Sequence, residues 1–314
     1  SPELAAKLLP PFDDYITPGG SSNRSEAVRD LIRKVLINEQ WEQDSEVVGV
    51  VTAYDYPTAR IADEAGVDIL LVGDSVGTVV LGYESTLPVT MDDMVRATAA
   101  VSRGTRRALV MADMPFMSYQ VSREAALANA GRLLAEAGAH AVKLEGGATV
   151  APLVEVMVAS GIPVMGHVGL TPQSVNVFGG YKVQGRDVTG ALTLVEDCRA
   201  LQAAGAFAVV LELVPAELAA LVTAELGIPT IGIGAGDGCD GQVQVFHDIL
   251  GLGEFAPRHA KRYAEVGVAI TSAIADYARE VREGAFPAEG NLTHLDPAVA
   301  AELGRVLPRA GRES

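Results

Sequence analysis

Two oppositely charged residues interrupt an otherwise apolar segment near the middle of the chain. In AHAVKLEGG, residues 139–147, Lys143 and Glu145 stand two positions apart. Because side chains alternate across a β-strand, both would point to the same face. Burying a cation and an anion is costly unless they pair with each other or bind something. The segment therefore predicts either a structural ion pair or a functional site at the end of a buried strand.

Other apolar segments of the chain also end in polar residues that can do chemistry. These residues are Asp74 with Ser75, Asp113, His167 and Glu212. In a parallel barrel the carboxyl ends of all strands share one rim, where active sites are built. We therefore expect these side chains to converge with Lys143 and Glu145 in one partly dry pocket.

The period-two alternation of side chains along a strand assigns each acid to one face of its strand. It places Asp74 on the same face as Leu70 and Val72. It places Asp113 on the same face as Met111. On this count each acid shares a face with apolar residues of its own strand.

Such a cluster would need positive charge, because several carboxylates cannot stay ionised together without a compensating cation. Lys143 supplies one charge, and Mg²⁺ is the natural second cation because it prefers carboxylate oxygens and water. The scarcity of thiolate and imidazole ligands argues against zinc. A 2-oxo acid chelated through its carbonyl and carboxylate would become acidic at the neighbouring C–H. A separate carboxylate could then remove that proton.

Each of these residues also has a simpler interpretation. Asp74 or Ser75 could cap the following helix, and Asp55, which precedes Tyr-Pro and a helix, is interpreted as a cap. Glu212 could be a solvated rim residue, and Lys143 could form only a structural ion pair. His167 is left without a role. The hypothesis of an active site therefore depends on the conjunction of several strand ends.

The elements that would position these residues follow a repeated phrase. It consists of a helix end, a glycine suited to the C′ position, a short turn and an apolar strand. It occurs at 64–74, 136–146, 159–169, 203–213 and 225–235. Segments 47–55, 106–115 and 242–248 supply three more strands, and helical stretches fall between many of them. Strands alternating with helices indicate parallel pairing, and about eight units favour an α/β fold of the (β/α)8 TIM-barrel type over a doubly wound open sheet.

The same pattern suggests the limits of the domains. Residues 1–24 are interpreted as a flexible leader, 25–289 as a single (β/α)8 catalytic domain and 290–314 as a C-terminal tail. A helix is predicted from Ser25, and a long closing helix over 258–284. Asp296 followed by Pro297 could start one short helix in the tail.

Composition narrows the class of protein. The 314 residues include 40 acidic and 24 basic ones, for a net charge of -16. Phosphates would be repelled, so nucleic acid is not expected as a partner. No segment is long and apolar enough to predict a membrane span, and no signal-peptide pattern opens the chain. Two cysteines, Cys198 and Cys239, suggest neither a disulfide framework nor a zinc site, and a reducing cytoplasm is the expected location.

One glycine-rich loop matches a nucleotide-binding pattern by spacing alone. Gly236, Gly238 and Gly241 in GAGDGCDG fit G-x-G-x-x-G after a strand. The strand is the seventh rather than the first, and the following residues are a poor helix start. We therefore interpret the segment as a flexible rim loop rather than a dinucleotide site.

Several longer motifs resemble one enzyme family. They are TAYDYPTARIADEAGVDILLVGDSVG, GYESTLPVTMDDM, ALVMADMPFMSY, AVKLEGG, GHVGLTPQSVNVFGGYKVQGR and IPTIGIGAGDGCDGQVQVFHD. Together they resemble the ketopantoate hydroxymethyltransferase family over residues 33–289. The resemblance implies a barrel of the phosphoenolpyruvate/pyruvate-binding type. It also implies a homo-oligomer, a decamer in several members.

The resemblance also implies an activity and a set of site residues. The reaction moves a hydroxymethyl group from 5,10-methylenetetrahydrofolate to 3-methyl-2-oxobutanoate, giving 2-dehydropantoate in pantothenate and coenzyme A biosynthesis. One Mg²⁺ is expected per subunit, with Glu212 as the proton acceptor. The implied metal ligands are Asp74, Asp113 and Glu145. The implied residues that bind the oxo acid are Asp74, Ser75, Asp113 and Lys143.

Two other functions remain open at this point. Lys143 could be the Schiff-base nucleophile of a metal-independent aldolase on the same barrel. The chain could also be a catalytically silent protein that retains the oxo-acid pocket.

Overall fold

A computed structural model describes residues 47–253 and 257–307 of the protein. Within them, eight parallel strands close into a barrel in chain order, and the eighth pairs with the first. The strands are β1 Val48–Thr52, β2 Ile69–Val72, β3 Leu109–Asp113, β4 Ala141–Glu145, β5 Val164–Gly169, β6 Ala208–Glu212, β7 Thr230–Ile233 and β8 Gly241–Gln244. The predicted (β/α)8 barrel is confirmed, and the open-sheet alternative is wrong.

Helices connect most of the strands on the outside of the barrel. They are α1 Tyr56–Glu64, α2 Val76–Val79, α3 Met91–Gly104, α4 Arg123–Ala135, α5 Ala151–Ala159, α6 Val175–Phe178, α7 Val188–Ala203, α8 Ala216–Glu225 and α9 Phe246–Ile249. A 3₁₀ turn, Pro172–Ser174, precedes α6. Local chemistry sets where these helices begin: the Asp55 carboxylate accepts from the N–H of Thr58 at 2.9 Å, as predicted for a cap.

The connection between β7 and β8 contains no helix, although helical and strand patterns alternate before it. Residues 234–240 run directly from one strand to the next. A Cβ at Gly238 would lie 2.8 Å from the Cβ of Ala220, so the loop packs closely against α8. Its glycines thus serve a close approach to a helix, and no helix follows them to bind a pyrophosphate.

The apolar core has two layers separated by the wall of the barrel. Leu109, Met111 and Met165 belong to the cluster inside the barrel. Leu70 and Val72 belong to the cluster between the strands and the helices. The predicted grouping of these two residues with Asp74 is therefore wrong, because β2 ends at Val72 and the chain turns before it reaches the acid. The predicted grouping of Asp113 with Met111 is confirmed by the continuous strand β3.

The described chain divides into two compact units, one ending at Ala264 and the other beginning at Glu265. The second unit contains α10 Val266–Glu283, a 3₁₀ turn at Glu289–Asn291 and α11 Pro297–Val306. The predicted closing helix is thus wrong over 258–265, which are not helical. The predicted short helix after Asp296 is confirmed, and its carboxylate accepts from the N–H of Ala298 at 2.8 Å.

The predicted helix from Ser25 and the predicted leader lie outside the described residues. The domain limits at residues 24 and 289 remain predictions. Among the described helices, none has both the length and the apolar character that a membrane crossing requires.

Candidate active site

All six predicted site residues lie at the carboxyl ends of barrel strands. Asp74 and Ser75 follow β2, Asp113 ends β3, and Glu212 ends β6. Lys143 and Glu145 lie in the last three residues of β4. The common rim that parallel topology predicts is therefore present.

An ion pair between β3 and β4 forms the centre of this rim. Asp113 and Lys143 are register partners on adjacent strands, and Lys143 Nζ lies 3.0 Å from Asp113 Oδ1. Both side chains are only 6% exposed, so the pair is shielded from solvent. The other Asp113 oxygen, Oδ2, accepts a hydrogen bond from the backbone N–H of Asp74 at 3.0 Å. This bond joins the turn after β2 to the pair.

The site contains more negative than positive charge. Burial raises the pKa of Asp74 well above its usual range, and repulsion from Asp113 and Glu145 raises it further. Burial alone would lower the pKa of Lys143, but attraction to Asp113, Glu145 and Asp74 outweighs it and raises that pKa. The ammonium is thus held in its charged form, but its single charge does not neutralise all of the neighbouring carboxylates.

His167, which had no predicted role, connects two of the acids. Its Nδ1 lies 3.6 Å from Glu145 Oε1 and 3.2 Å from Lys143 Nζ, and its Nε2 lies 3.2 Å from Glu212 Oε2. Burial and the charge of Lys143 lower the pKa of His167, but Glu145 and Glu212 outweigh both and raise it to about 9. The ring therefore brings Glu212 into the same cluster.

Ser75 is held by a residue that the sequence did not single out. The hydroxyl of Tyr54 lies 2.8 Å from Ser75 Oγ, within hydrogen-bond distance. Ser75 makes no capping hydrogen bond to α2, and the Asp74 Oδ2 atom accepts from Gln173 instead. The capping interpretation of this pair is therefore wrong.

Sequence reasoning missed Tyr54, Tyr119 and Gln173. Tyr119 lies in the loop after β3 and Gln173 in the 3₁₀ turn after β5, and both are buried against the site. The available signal was a polar or aromatic residue a few positions beyond a strand end, in MPFMSYQ and GLTPQS. That signal is weak, because many rim residues of this kind are solvated.

The donor set suits a hard divalent cation. Buried carboxylates with residual negative charge match the oxygen preference of Mg²⁺. Asp113 Oδ1 is buried and has no aligned hydrogen bond, although Lys143 is within ion-pair distance. Among the described residues, no three His, Cys, Asp or Glu side chains form a ready coordination shell. Mg²⁺ does not require one, because it is usually held by one or two carboxylates together with waters and substrate oxygens.

Comparison with known proteins identifies the family. The family model described as ketopantoate hydroxymethyltransferase matches residues 34–289. The chain belongs to the ketopantoate hydroxymethyltransferase family. A 3-methyl-2-oxobutanoate hydroxymethyltransferase from Dehalococcoides mccartyi is 57% identical over 266 residues, covering 84% of this chain and 95% of that protein. The enzyme of the same name from Geotalea daltonii is 57% identical over 258 residues, covering 82% of this chain and 97% of that protein.

Solved structures share the fold at much lower identity. Oxaloacetate acetylhydrolase in complex with 3,3-difluorooxalacetate has a TM-score of 0.54 at 14% identity, over 90% of this chain and 94% of that one. A 2,3-dimethylmalate lyase, a PEP mutase/isocitrate lyase superfamily member, has a TM-score of 0.52 at 17% identity, over 90% and 95%. This member of the ketopantoate hydroxymethyltransferase family therefore shares its barrel fold with these structures.

Proposed function

We propose that the protein transfers a hydroxymethyl group from 5,10-methylenetetrahydrofolate to 3-methyl-2-oxobutanoate, giving 2-dehydropantoate for pantothenate synthesis. Membership of the family gives the reaction class. The observation that carries the assignment to this site is the buried pair of Lys143 and Asp113, with Asp74 and Glu145 beside it and Glu212 at its edge. A 2-oxo acid needs a positive charge for its carboxylate, which Lys143 supplies, and carboxylates that can hold a metal ion beside its carbonyl.

Lys143 and Ser75 are proposed to bind the oxo acid. The ammonium neutralises the substrate carboxylate, and burial strengthens that attraction because it keeps water away. The Ser75 hydroxyl, fixed by Tyr54, offers a hydrogen bond beside it. Asp74 and Asp113 are proposed to contact the oxo acid as well.

Asp74, Asp113 and Glu145 would hold one Mg²⁺ per subunit. When bound, the ion supplies a Lewis acid that draws electrons from the carbonyl of the oxo acid. Lys143 meanwhile limits the repulsion among the carboxylates. The apolar barrel interior beneath them, which includes Met111 and Met165, excludes water from the inner side of the site.

Glu212 is proposed to remove the C3 proton of the oxo acid. Its side chain is 16% exposed, against 3% for His167, so it is the more accessible of the two to a bound substrate. His167 lies against the Glu212 carboxylate and would orient it for this role. The enolate that results forms a carbon–carbon bond to the methylene carbon of the folate, and both carbon–nitrogen bonds of that carbon break. Water supplies the hydroxyl group and one proton, and tetrahydrofolate leaves with that proton and the one that Glu212 removed.

The Schiff-base alternative is poorly supported by the surroundings of Lys143. A nucleophilic amine must be neutral, and lysines that form Schiff bases have lowered pKa values. Here the neighbouring carboxylates raise the pKa of Lys143. A catalytically silent binding protein would be distinguished only by a turnover measurement. We further propose a cytoplasmic homo-oligomer, a decamer as the family resemblance implies.

The full chain, freed of metal, should be assayed with both substrates and with Mg²⁺ or EDTA. Methylene-labelled folate allows the new carbon in 2-dehydropantoate to be followed by mass spectrometry. The proposal expects labelled product with Mg²⁺ and its loss with EDTA, restored by added Mg²⁺. A folded protein that gives no labelled product with Mg²⁺ would contradict the transferase assignment. Undiminished product in EDTA, with substrate trapped on Lys143 by borohydride, would favour the aldolase.

A further inference from the structure

Gln173 is a buried amide at the mouth of the barrel that the proposed reaction does not use. It lies in the 3₁₀ turn Pro172–Ser174 after β5 and is 6% exposed. We propose that Gln173 is a positioning residue that orients the Asp74 and Glu145 carboxylates so that one oxygen of each faces the cation. This inference rests on the proposed function, because it concerns the same metal site.

Three hydrogen bonds connect Gln173 to the carboxyl ends of three strands. Its Nε2 donates to Asp74 Oδ2 at 2.8 Å and to the backbone carbonyl of Met114 at 3.0 Å. Its own backbone N–H donates to Glu145 Oε2 at 2.9 Å. A single residue therefore holds one oxygen of each of two carboxylates that come from β2 and β4.

The chemistry of these partners fixes the orientation of the amide. The Met114 carbonyl can only accept, as can the Asp74 carboxylate when it is ionised, so the nitrogen must face them. The Gln173 Oε1 atom then faces the Tyr119 hydroxyl, which donates to it at 2.8 Å. The flipped amide would set its oxygen against two acceptors. The arrangement thus has one low-energy state.

Tyr119 extends this support to the backbone of β4. Its hydroxyl accepts from the Glu145 N–H at 3.2 Å and lies 3.1 Å from the Glu145 carbonyl oxygen. Tyr119 is 4% exposed and is held in place by the surrounding core. A chain of hydrogen bonds therefore runs from the β4 backbone through Tyr119 and Gln173 to Asp74.

One carboxylate oxygen of Asp74 is left for a cation, and the second oxygen of Glu145 is shared with His167. Gln173 donates to Asp74 Oδ2, and among the hydrogen bonds of the described residues none reaches Asp74 Oδ1. Glu145 Oε1 faces His167 at 3.6 Å, while Oε2 is held by Gln173. Groups of this kind, which orient metal ligands through hydrogen bonds, typically change metal affinity about 10- to 100-fold when removed. A neutral amide does this without adding a charge that would compete with the ion.

The test compares Gln173→Met with wild type by direct Mn²⁺ binding, using the electron paramagnetic resonance signal of free Mn²⁺. Methionine keeps a similar length and removes both the donor and the acceptor. We expect the Kd for Mn²⁺ to rise about 10- to 100-fold. Tyr119→Phe should raise it on the order of threefold, because the neutral hydrogen bonds of the Tyr119 hydroxyl to Gln173 and Glu145 are lost. The matched control is Gln202→Met on α7, away from the site, which removes the hydrogen bond that the Gly227 N–H donates to the Gln202 side chain.

A purely structural role for Gln173 would predict a different pattern. Gln173→Met and Gln202→Met would then both lower the melting temperature and leave the Mn²⁺ Kd within twofold of wild type. That result, in a wild type that binds Mn²⁺, would overturn the inference and leave the proposed function intact. A wild type that binds no Mn²⁺ would instead contradict the metal site, and the inference would fall with it. Should Gln173→Met not fold, an unchanged Kd in Tyr119→Phe would count against the positioning role.

Discussion

His167 Nε2 and Glu212 Oε2 lie 3.2 Å apart across adjacent strands. Glu212 ends β6 and pairs in register with Gly169, two residues beyond His167 on β5. The carboxylate therefore reaches back over the imidazole, and a buried ring supports a partly accessible acid. This is a suitable arrangement for a base whose position must be fixed while one oxygen remains available to a substrate.

Replacing Glu212 with Gln should abolish proton removal while retaining the oxo acid. Loss of a positioned general base typically costs about 10²- to 10⁴-fold in rate. The measurement is the exchange of the C3 proton of 3-methyl-2-oxobutanoate in D₂O, followed by NMR. Glu225→Gln is the matched control, because Glu225 lies on α8 in an exposed pair with Arg199. Equal exchange rates in Glu212→Gln and wild type would remove Glu212 from the role of base.

Removing the cation of the buried pair should destabilise the protein more than removing it together with its partner. Lys143→Met leaves Asp113 without its ion-pair partner beside two further acids, and breaking a buried pair in this way costs about 3–5 kcal/mol. The double variant Asp113→Asn with Lys143→Met leaves no charge on that pair and should recover part of the loss. Urea unfolding of the metal-free proteins measures the free energy of unfolding of the single and the double variant. A double variant less stable than Lys143→Met would contradict this account of the charges.

Tyr54→Phe should weaken binding at the proposed oxo-acid site with little effect on folding. The change removes the 2.8 Å contact to Ser75 Oγ and leaves the aromatic ring in the core. We expect the KM for the oxo acid to rise on the order of threefold, and the free energy of unfolding to fall by about 1 kcal/mol. Tyr56→Phe, at an exposed residue of α1, is the control and should change neither. If KM stays constant while only stability falls, Tyr54 supports the core rather than Ser75.

The barrel and most of its rim could be predicted from local pattern, because parallel topology brings strand ends together wherever the strands lie in the chain. Asp113 and Lys143 were predicted to converge for this reason, and they are register partners. The face of Asp74 was predicted wrongly, because period-two counting holds only within a strand and β2 stops at Val72. Where the chain leaves regular structure, alternation no longer determines the direction of a side chain.

The hydrogen bonds that hold the site's carboxylates in place could not be predicted from the sequence. Gln173 contacts Asp74, 99 positions away, through a turn whose path depends on the packed barrel. No local periodicity encodes such a contact. The loop after β7 was interpreted from the sequence as a rim loop, and in the structure it runs directly into β8 with Gly238 close to α8.

Gly169 provides a test of how closely the rim positions Glu212. It has φ +90°, and a Cβ there would lie 2.2 Å from the Glu212 carbonyl oxygen. Gly161 has φ +83° with nothing within 4 Å of its Cβ, so it shares the backbone strain without the clash. Gly161→Ala should therefore cost about 1–2 kcal/mol of stability with unchanged kcat. Gly169→Ala should cost more and lower kcat on the order of 10²-fold if Glu212 is the base proposed above, because small displacements of such a group are that costly. The decisive comparison is kcat at saturating substrate, measured below the melting temperature of both variants. Equal kcat values in the two would mean that the β5–β6 contact does not position the base.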